Sequence, residues 1–522
     1  MAPPSSLPQG VPVATNLLDL VAAAAGQHGD RPYLLPVEPQ SKVITFADVL
    51  TFANGCAALL DEHEVPQGAR VAVIMHNSSL ATLLFLGVVA AQRVLVPLNP
   101  KSGEAELDAL LRHAQPALTL GRAATAAKLQ QHLNWVAVED SEALVADILA
   151  RGSAYRGQLT SRDTSGAQEA EIVYTSYAAT GAPKGVVLSH RSLLSPSLAL
   201  ARWADAGQDD VFLNVSPWFG AGGQVFPMLT PLWCGGQTVC VRSEAAMARF
   251  WTYVNRYRPT WTLVVPAYLA YLLERQERPE ASRLKGVLSG GSPLSPELIH
   301  RFESTFDLPV YQVYGMTEMA AITTVEPRHR KSGERRTAGL PLEGCRVRVV
   351  GPDGRDVATG ENGEVWLTGA NIFTRYQNAP DLTAGRLDNG WIRSGDLGQL
   401  DEHGELSILD RLDNMVIVSG SNVYPVEVER AASHLEGIED AVVAALPHPV
   451  SGVELILVYT LLPGAVAAVD EWRATLLKHI TTFKVPRRFV ALGELGVDAF
   501  PRTPLGMIVR PEVQRLAIEH LS

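Results

Sequence analysis

Lys285-Gly286-Val287-Leu288-Ser289-Gly290-Gly291-Ser292-Pro293-Leu294 reads as a short apolar strand running straight into a glycine turn. Twenty residues on, the pattern returns. A strand over Pro309–Val313 runs into Tyr314-Gly315-Met316-Thr317-Glu318. Working outward, short β-branched runs at Arg70–Met75, Val94–Pro97, Val211–Val215, Gln237–Val241 and Thr262–Val265 alternate with helical periods such as Leu80–Ala91 and Gly103–His113. Alternation of this kind predicts parallel sheets covered by helices, with ligands bound beyond the carboxyl ends of the strands. The motifs at Thr180, Gly290 and Tyr314 each follow a predicted strand, which brings them to one crevice.

From Gly339 to Leu409 the texture changes to strands punctuated by Asp353-Gly354, Asn362-Gly363, Asn389-Gly390 and His403-Gly404, which is hairpin chemistry. After Asp413 a compact α+β unit follows: helix Pro425–Leu435, strands Ala441–Leu446 and Glu454–Leu461, then helices Asp470–Ile480 and Arg510–Leu521. At 522 residues more than one domain is expected, because single cores stop growing near ~250–300 residues. A formal charge of −11 argues against nucleic acid or an anionic membrane as the main partner. Met1–Asp30 holds no Lys or Arg, unlike a signal peptide, and Leu80–Ala91 is too short to span a bilayer. The four cysteines show neither zinc-site spacing nor a disulfide framework, so a reduced, cytoplasmic protein is expected.

Five motifs in one order carry a resemblance. They are Thr180-Gly181-Ala182-Pro183-Lys184-Gly185, Gly290-Gly291-Ser292-Pro293-Leu294, Tyr314-Gly315-Met316-Thr317-Glu318, Ser394-Gly395-Asp396-Leu397 and Pro501-Arg502-Thr503-Pro504-Leu505-Gly506. Together they resemble the adenylate-forming superfamily: acyl-CoA synthetases, adenylation domains of peptide synthetases, and beetle luciferase. The resemblance runs from about Asn16 to Leu516. It implies an α/β fold: a large N-terminal domain over 1–411, with two helix-covered sheets and a small β-barrel-like subdomain, and a mobile α+β lid over 412–522. The two would turn about a hinge at Asp413.

It also implies a reaction. A carboxylic acid attacks ATP to give an acyl-adenylate, and CoA or a carrier-protein phosphopantetheine thiol then displaces AMP. Such chemistry needs backbone amides, a cation and Mg²⁺ around the phosphates. By resemblance Thr180, Lys184 and Thr317 serve the phosphates, with Gly181 and Gly185 in the loop. Glu318 holds Mg²⁺. Tyr314, Gly315 and the turn Gly290-Gly291-Ser292 take adenine, and Asp396 and Arg411 take ribose. Trp218, Phe219, Gly220 and Gly223, with Val265 and Pro266, are candidates for an apolar acid pocket. The competing reading of these aromatics is ordinary core.

The chain departs from the family pattern where the chemistry is done. The phosphate loop carries Tyr177, Ala178 and Ala179 in place of a hydroxyl, a glycine and a hydroxyl. Gly220 replaces a common histidine, Asp410 a glycine, and Val418 a common basic residue. The extra negative charge of Asp410 is unfavourable beside a nucleotide, though a surface position would screen it. Met507 stands where the family has a lysine bridging carboxylate and α-phosphate, a loss typically worth about 10²–10³ in rate. Three functions remain open: a ligase with altered adenylation, an enzyme running only transfer from a preformed acyl-adenylate or thioester, and a non-catalytic nucleotide-binding protein.

Overall fold

The computed structural model describes all residues except 1–13, 38–41, 130–133, 140, 158, 160–165, 167, 176–183, 242, 276–281, 293, 329–336, 413–415, 419–420, 424, 449–451, 481, 503–507 and 522. Thr180, Gly181, Asp413 and Met507, with Tyr177, Ala178 and Ala179, therefore lie outside the described residues. The protein is α/β, with a large N-terminal body of sheets and helices and a smaller C-terminal part. By packing it divides into two compact units, Met1–Val347 with Leu367–Arg393, and Arg348–Trp366 with Ser394–Ser522.

The first unit holds two sheets. The nine-stranded one runs Leu340–Pro341, Thr324–Val325, Val310–Tyr314, Gly286–Ser289, Trp261–Val264, Val211–Asn214, Gln237–Cys240, Pro32–Leu34, Ile44–Thr45. Its inner strands are parallel and both edges antiparallel. Leu213, Val264, Val287 and Val310 pack into one apolar cluster with Phe250, Leu269 and Phe302. Buried on both faces, these strands read as continuous apolar runs rather than alternating ones. The seven-stranded sheet runs Arg375–Tyr376, Lys184–Ser189, Glu169–Thr175, Val94–Leu98, Arg70–Ile74, Leu118–Gly121, Trp135–Ala137. Helix Ser79–Ala90, capped by the Ser78 hydroxyl on the Ala81 N–H, lies against strands of both sheets and is buried almost all round. No helix of the described residues is long and apolar enough to cross a membrane.

Lys184–Ser189, to which the sequence assigns no element, is a strand, antiparallel to Glu169–Thr175 from Glu169↔Ser189 to Thr175↔Lys184. The strand that begins with Lys184 and Gly185 therefore lies on a different sheet from Gly290 and Tyr314. The next helix starts only at His190, where Ser189 and Ser192 form a reciprocal cap. Buried Val186, Val187 and Leu188 hold the intervening segment extended.

The division between the units runs through the strands Cys345–Val350, Gly363–Gly369 and Trp391–Leu400. Asn389-Gly390 is a two-residue hairpin loop with both φ positive, at 49° and 80°, closed by Asp388↔Trp391. Asn362-Gly363 is not a turn. Gly363 opens a strand, where a Cβ would lie 2.6 Å from the Val350 carbonyl oxygen. The left-handed residue is Gly360, at φ 82°.

In the second unit Ile438–His448 pairs antiparallel with Gly452–Leu461, which pairs parallel with Arg488–Ala491. Alternation decides the faces. Val443, Leu457 and Tyr459 pack with Trp472 and Leu476, whereas Val442, Ala444, Ile456 and Val458 pack with Val513 and Leu516. Val418 is buried in the first of these cores. The four cysteines are free thiols.

Candidate active site

Three parallel strands of the nine-stranded sheet, Trp261–Val264, Gly286–Ser289 and Val310–Tyr314, are in register. Val265-Pro266, Gly290-Gly291-Ser292 and Tyr314-Gly315 therefore leave the sheet at one edge. The two glycines of the first turn serve different ends. A Cβ on Gly290 would sit 2.3 Å from the Val313 carbonyl oxygen, so the backbones touch there. Gly291 has φ 84° and open space, its nearest neighbour being Val265 Cγ1 at 3.9 Å. After Tyr314 the chain doubles back through a single 3₁₀ turn, Thr317–Met319, closed by Ala321 N–H on the Met316 carbonyl and Thr323 N–H on the Tyr314 carbonyl. Only glycine fits at 315, because a Cβ would lie 2.2 Å from the Ala321 oxygen.

Glu318, on that turn, is 7% exposed. Its Oε1 accepts a hydrogen bond from the Tyr376 hydroxyl at 2.5 Å, and its carbonyl accepts from the Phe373 N–H at 2.7 Å. The same segment continues onto the other sheet: Arg375 and Tyr376 pair with Val187 and Val186, and the Gln377 N–H donates to the Gly185 carbonyl. Residues 373–377 thus bolt the Glu318 turn to the strand that begins at Lys184. Gly185 is packed tightly there, a Cβ meeting Ile172 at 2.9 Å and Gln377 at 3.0 Å. Burial, and then the negative charge of Glu318, push the Tyr376 phenol above its ordinary range, which keeps it a donor. Asn371, wholly buried, holds the far side of the turn through the Met319 and Ile322 carbonyls. Tyr376 and Asn371 escaped sequence reasoning. Both lie more than fifty positions from Glu318 and only folding brings them to it.

The third element is the loop after Val211–Asn214. Trp218 is wholly buried, its indole N–H on the Met75 carbonyl and its backbone N–H on Asn77 Oδ1. It anchors the loop as core, while Phe219 and Gly220 are only partly buried. Gly223 is required by the Pro217 carbonyl, 2.2 Å from its built Cβ. Gly222 meets only Leu263 and Ala321, at 3.7 and 3.8 Å, which sets this loop beside the Tyr314–Glu318 turn. At Gly220 a Cβ would have only the Pro217 oxygen near it, at 3.7 Å, so the position lost to glycine is roomy.

Asp396 and Arg411 belong to the second unit. They are directly paired across antiparallel strands, with Arg411 Nη1 3.1 Å from Asp396 Oδ1. Asp396 is 8% exposed and Arg411 is exposed. Asp410 has no surface position to screen its charge: it is buried. Its Oδ1 accepts from the Arg411 N–H at 2.6 Å, and its Oδ2 from the Val426 N–H at 3.3 Å. Val426 lies in the first turn of helix Pro425–Ala432, whose unpaired N–H groups favour a negative charge.

With this geometry in view, the comparison with known proteins is decisive. The family of AMP-binding enzymes matches residues 21–377. The chain belongs to that family. Sulfoacetate–CoA ligase of Cupriavidus necator is 30% identical over 510 residues, 95% of this chain and 97% of that protein. The fatty acid–[acyl-carrier-protein] ligase ScoC of Streptomyces coeruleorubidus is 29% identical, over 91% of this chain and 92% of that one. ATP-bound MatB from Rhodopseudomonas palustris superposes with a TM-score of 0.85 at 26% identity, over 97% and 99% of the two chains.

Whether an AMP-binding enzyme of this sequence fits Mg²⁺ is a question of its donors. Among the described residues no three His, Cys, Asp or Glu side chains gather to hold a metal. Mg²⁺ tolerates this, because it keeps waters and uses one or two carboxylates together with substrate phosphates. Glu318 fits that role: it is fixed through Oε1 and sits at the strand edge beside the glycine turns.

Proposed function

We propose that the chain is an AMP-forming acyl-activating ligase that takes a carboxylic acid and ATP and passes the acyl group to CoA or a carrier-protein thiol. The observation that carries this reading is the bolt at 373–377, which holds Lys184 and Gly185 to the Glu318 turn beside the glycine turns of the strand edge. In this reading Thr180, Lys184 and Thr317 take the phosphates. Tyr314 and Gly291 take adenine, and Asp396 accepts the ribose hydroxyls with Arg411 beside it. Glu318 and phosphate oxygens would hold Mg²⁺, which when bound spreads the phosphate charge that the attacking carboxylate must approach. Gly220 supplies no carboxylate to hold an ammonium group, which favours a simple carboxylic acid, and the open space there admits a bulkier acid than a histidine would. Residues 412–522 act as the lid and Asp413 as its hinge.

Met507 favours a second reading, in which adenylation is weak and the enzyme works mainly in the transfer half-reaction, for which the missing lysine is not required. Acid-dependent ATP–pyrophosphate exchange decides between them, run over fatty, aryl and amino acids for the native chain and Met507→Lys. Exchange by the native chain establishes a working ligase. Exchange gained about 10²–10³-fold by the lysine variant marks Met507 as the lesion in an otherwise sound site. Silence from both, with consumption of synthetic acyl-AMP, leaves transfer alone; silence in every assay sinks the ligase.

A further inference from the structure

The strand Glu169–Thr175, which leads into the phosphate-loop segment, carries a carboxyl group in an apolar interior. Glu171 is wholly buried, between Ala170 and Ile172, which are buried too. Its backbone neighbours across the sheet are Leu188 and Leu95. Gln224 reaches it from the helix Ala221–Gln224 that leaves the Gly220–Gly223 loop, and is also wholly buried. Gln224 Nε2 donates to Glu171 Oε1 at 2.6 Å. The second oxygen of each group, Glu171 Oε2 and Gln224 Oε1, has no hydrogen-bond partner among the described residues.

Two buried, unpaired acceptors on groups already in contact are costly, and a buried charge without a countercharge more so. One proton resolves both. Placed on Glu171 Oε2 it removes the charge and supplies the donor that Gln224 Oε1 lacks. We propose that Glu171 is carried as a neutral carboxylic acid, closing a two-bond acid–amide clasp with Gln224 that positions the phosphate-loop strand against the acid-pocket loop. The clasp makes Glu171 and Gln224 positioning residues. Their functional weight rests on the reading of those two loops given above; their protonation does not. Burial drives the Glu171 carboxyl up to about 8, opposed by the Gln224 hydrogen bond, and among the described residues no charged side chain adds to the shift. The helix passes at once into a five-residue π-helical stretch, Val225–Leu229, a wide turn of the kind that gathers at functional sites.

Unfolded, the group loses its proton near 4.5; folded, near 8. Between these values the folded state binds one more proton than the unfolded, so stability falls as pH rises and levels off above the folded value. Glu171→Gln keeps both hydrogen bonds and cannot ionise. Over roughly pH 5 to 8, the folding constant of the native chain is expected to fall about tenfold per pH unit relative to Glu171→Gln. Infrared spectra of the native chain are expected to show a protonated carboxyl band at pH 6, absent from Glu171→Gln and lost from the native chain near pH 8. ATP affinity of the native chain should fall between pH 7 and 9 while that of the variant holds level. Absence of the carboxyl band, or its persistence in Glu171→Gln, refutes the neutral acid even if the variant folds poorly. A band present with parallel ATP profiles refutes the positioning role. If neither protein binds ATP at any pH, the reading of the phosphate loop fails, and the infrared result alone decides the clasp.

Discussion

Tyr376→Phe removes one oxygen and leaves the ring in place, so it isolates the hydrogen bond to Glu318. That bond is 2.5 Å long, between a phenol 3% exposed and a carboxylate 7% exposed. A hydrogen bond to a charged acceptor contributes about 1.5–3 kcal/mol, or roughly 10- to 150-fold in a binding constant. Independently, removing the partner that orients a metal-binding side chain typically costs about 10–100-fold in metal affinity. The two figures agree. The assay is Mg²⁺ titration of ATP binding at fixed ATP. Half-saturating Mg²⁺ is expected to rise about 10–100-fold in Tyr376→Phe, while Mg²⁺-free nucleotide affinity changes little. Because the phenol is pushed upward, it remains a donor through neutral pH and the effect should not depend on pH there. An unchanged Mg²⁺ midpoint in a folded variant would refute the reasoning. Equal losses with and without Mg²⁺ would show that Tyr376 supports only the turn.

Gly315→Ala forces a Cβ to within 2.2 Å of a backbone oxygen that no rotamer change can move, so nucleotide affinity should fall more than about tenfold and the melting temperature should drop. Gly291→Ala meets only Val265 Cγ1, at an ordinary contact of 3.9 Å, and bears the left-handed backbone penalty of about 1–2 kcal/mol, so it should be the milder of the two. Asp410→Ala exposes the Val426 N–H at a helix start, and should lower the local stability of helix Pro425–Ala432 by about 0.5–2 kcal/mol. Hydrogen exchange of that helix, compared with exchange in the Ile438–His448 strand, reads the effect; equal protection in both proteins would refute it.

Much of the parallel sheet was legible along the chain because its strands are buried on both faces and announce themselves as apolar runs. The glycine turns were legible as well, since Gly290 and Gly315 admit no side chain and Gly291 adopts a backbone only glycine enters freely. The strand Lys184–Ser189 was not legible, because its antiparallel return depends on a partner and not on its own pattern. Asn362-Gly363 misled because glycine there answers a close backbone approach, not a positive φ.

The sequence by itself determined the fold class, the family and the order of the motifs, because local period and glycine spacing are written in consecutive residues. Tertiary structure alone decided that residues 373–377 join two sheets through Glu318, that Asp410 caps a helix, and that Glu171 meets Gln224. Each of these is a contact between side chains or backbones distant in the chain, made specific by the cost of leaving a buried polar group unpaired. That cost exists only once water has been excluded by folding.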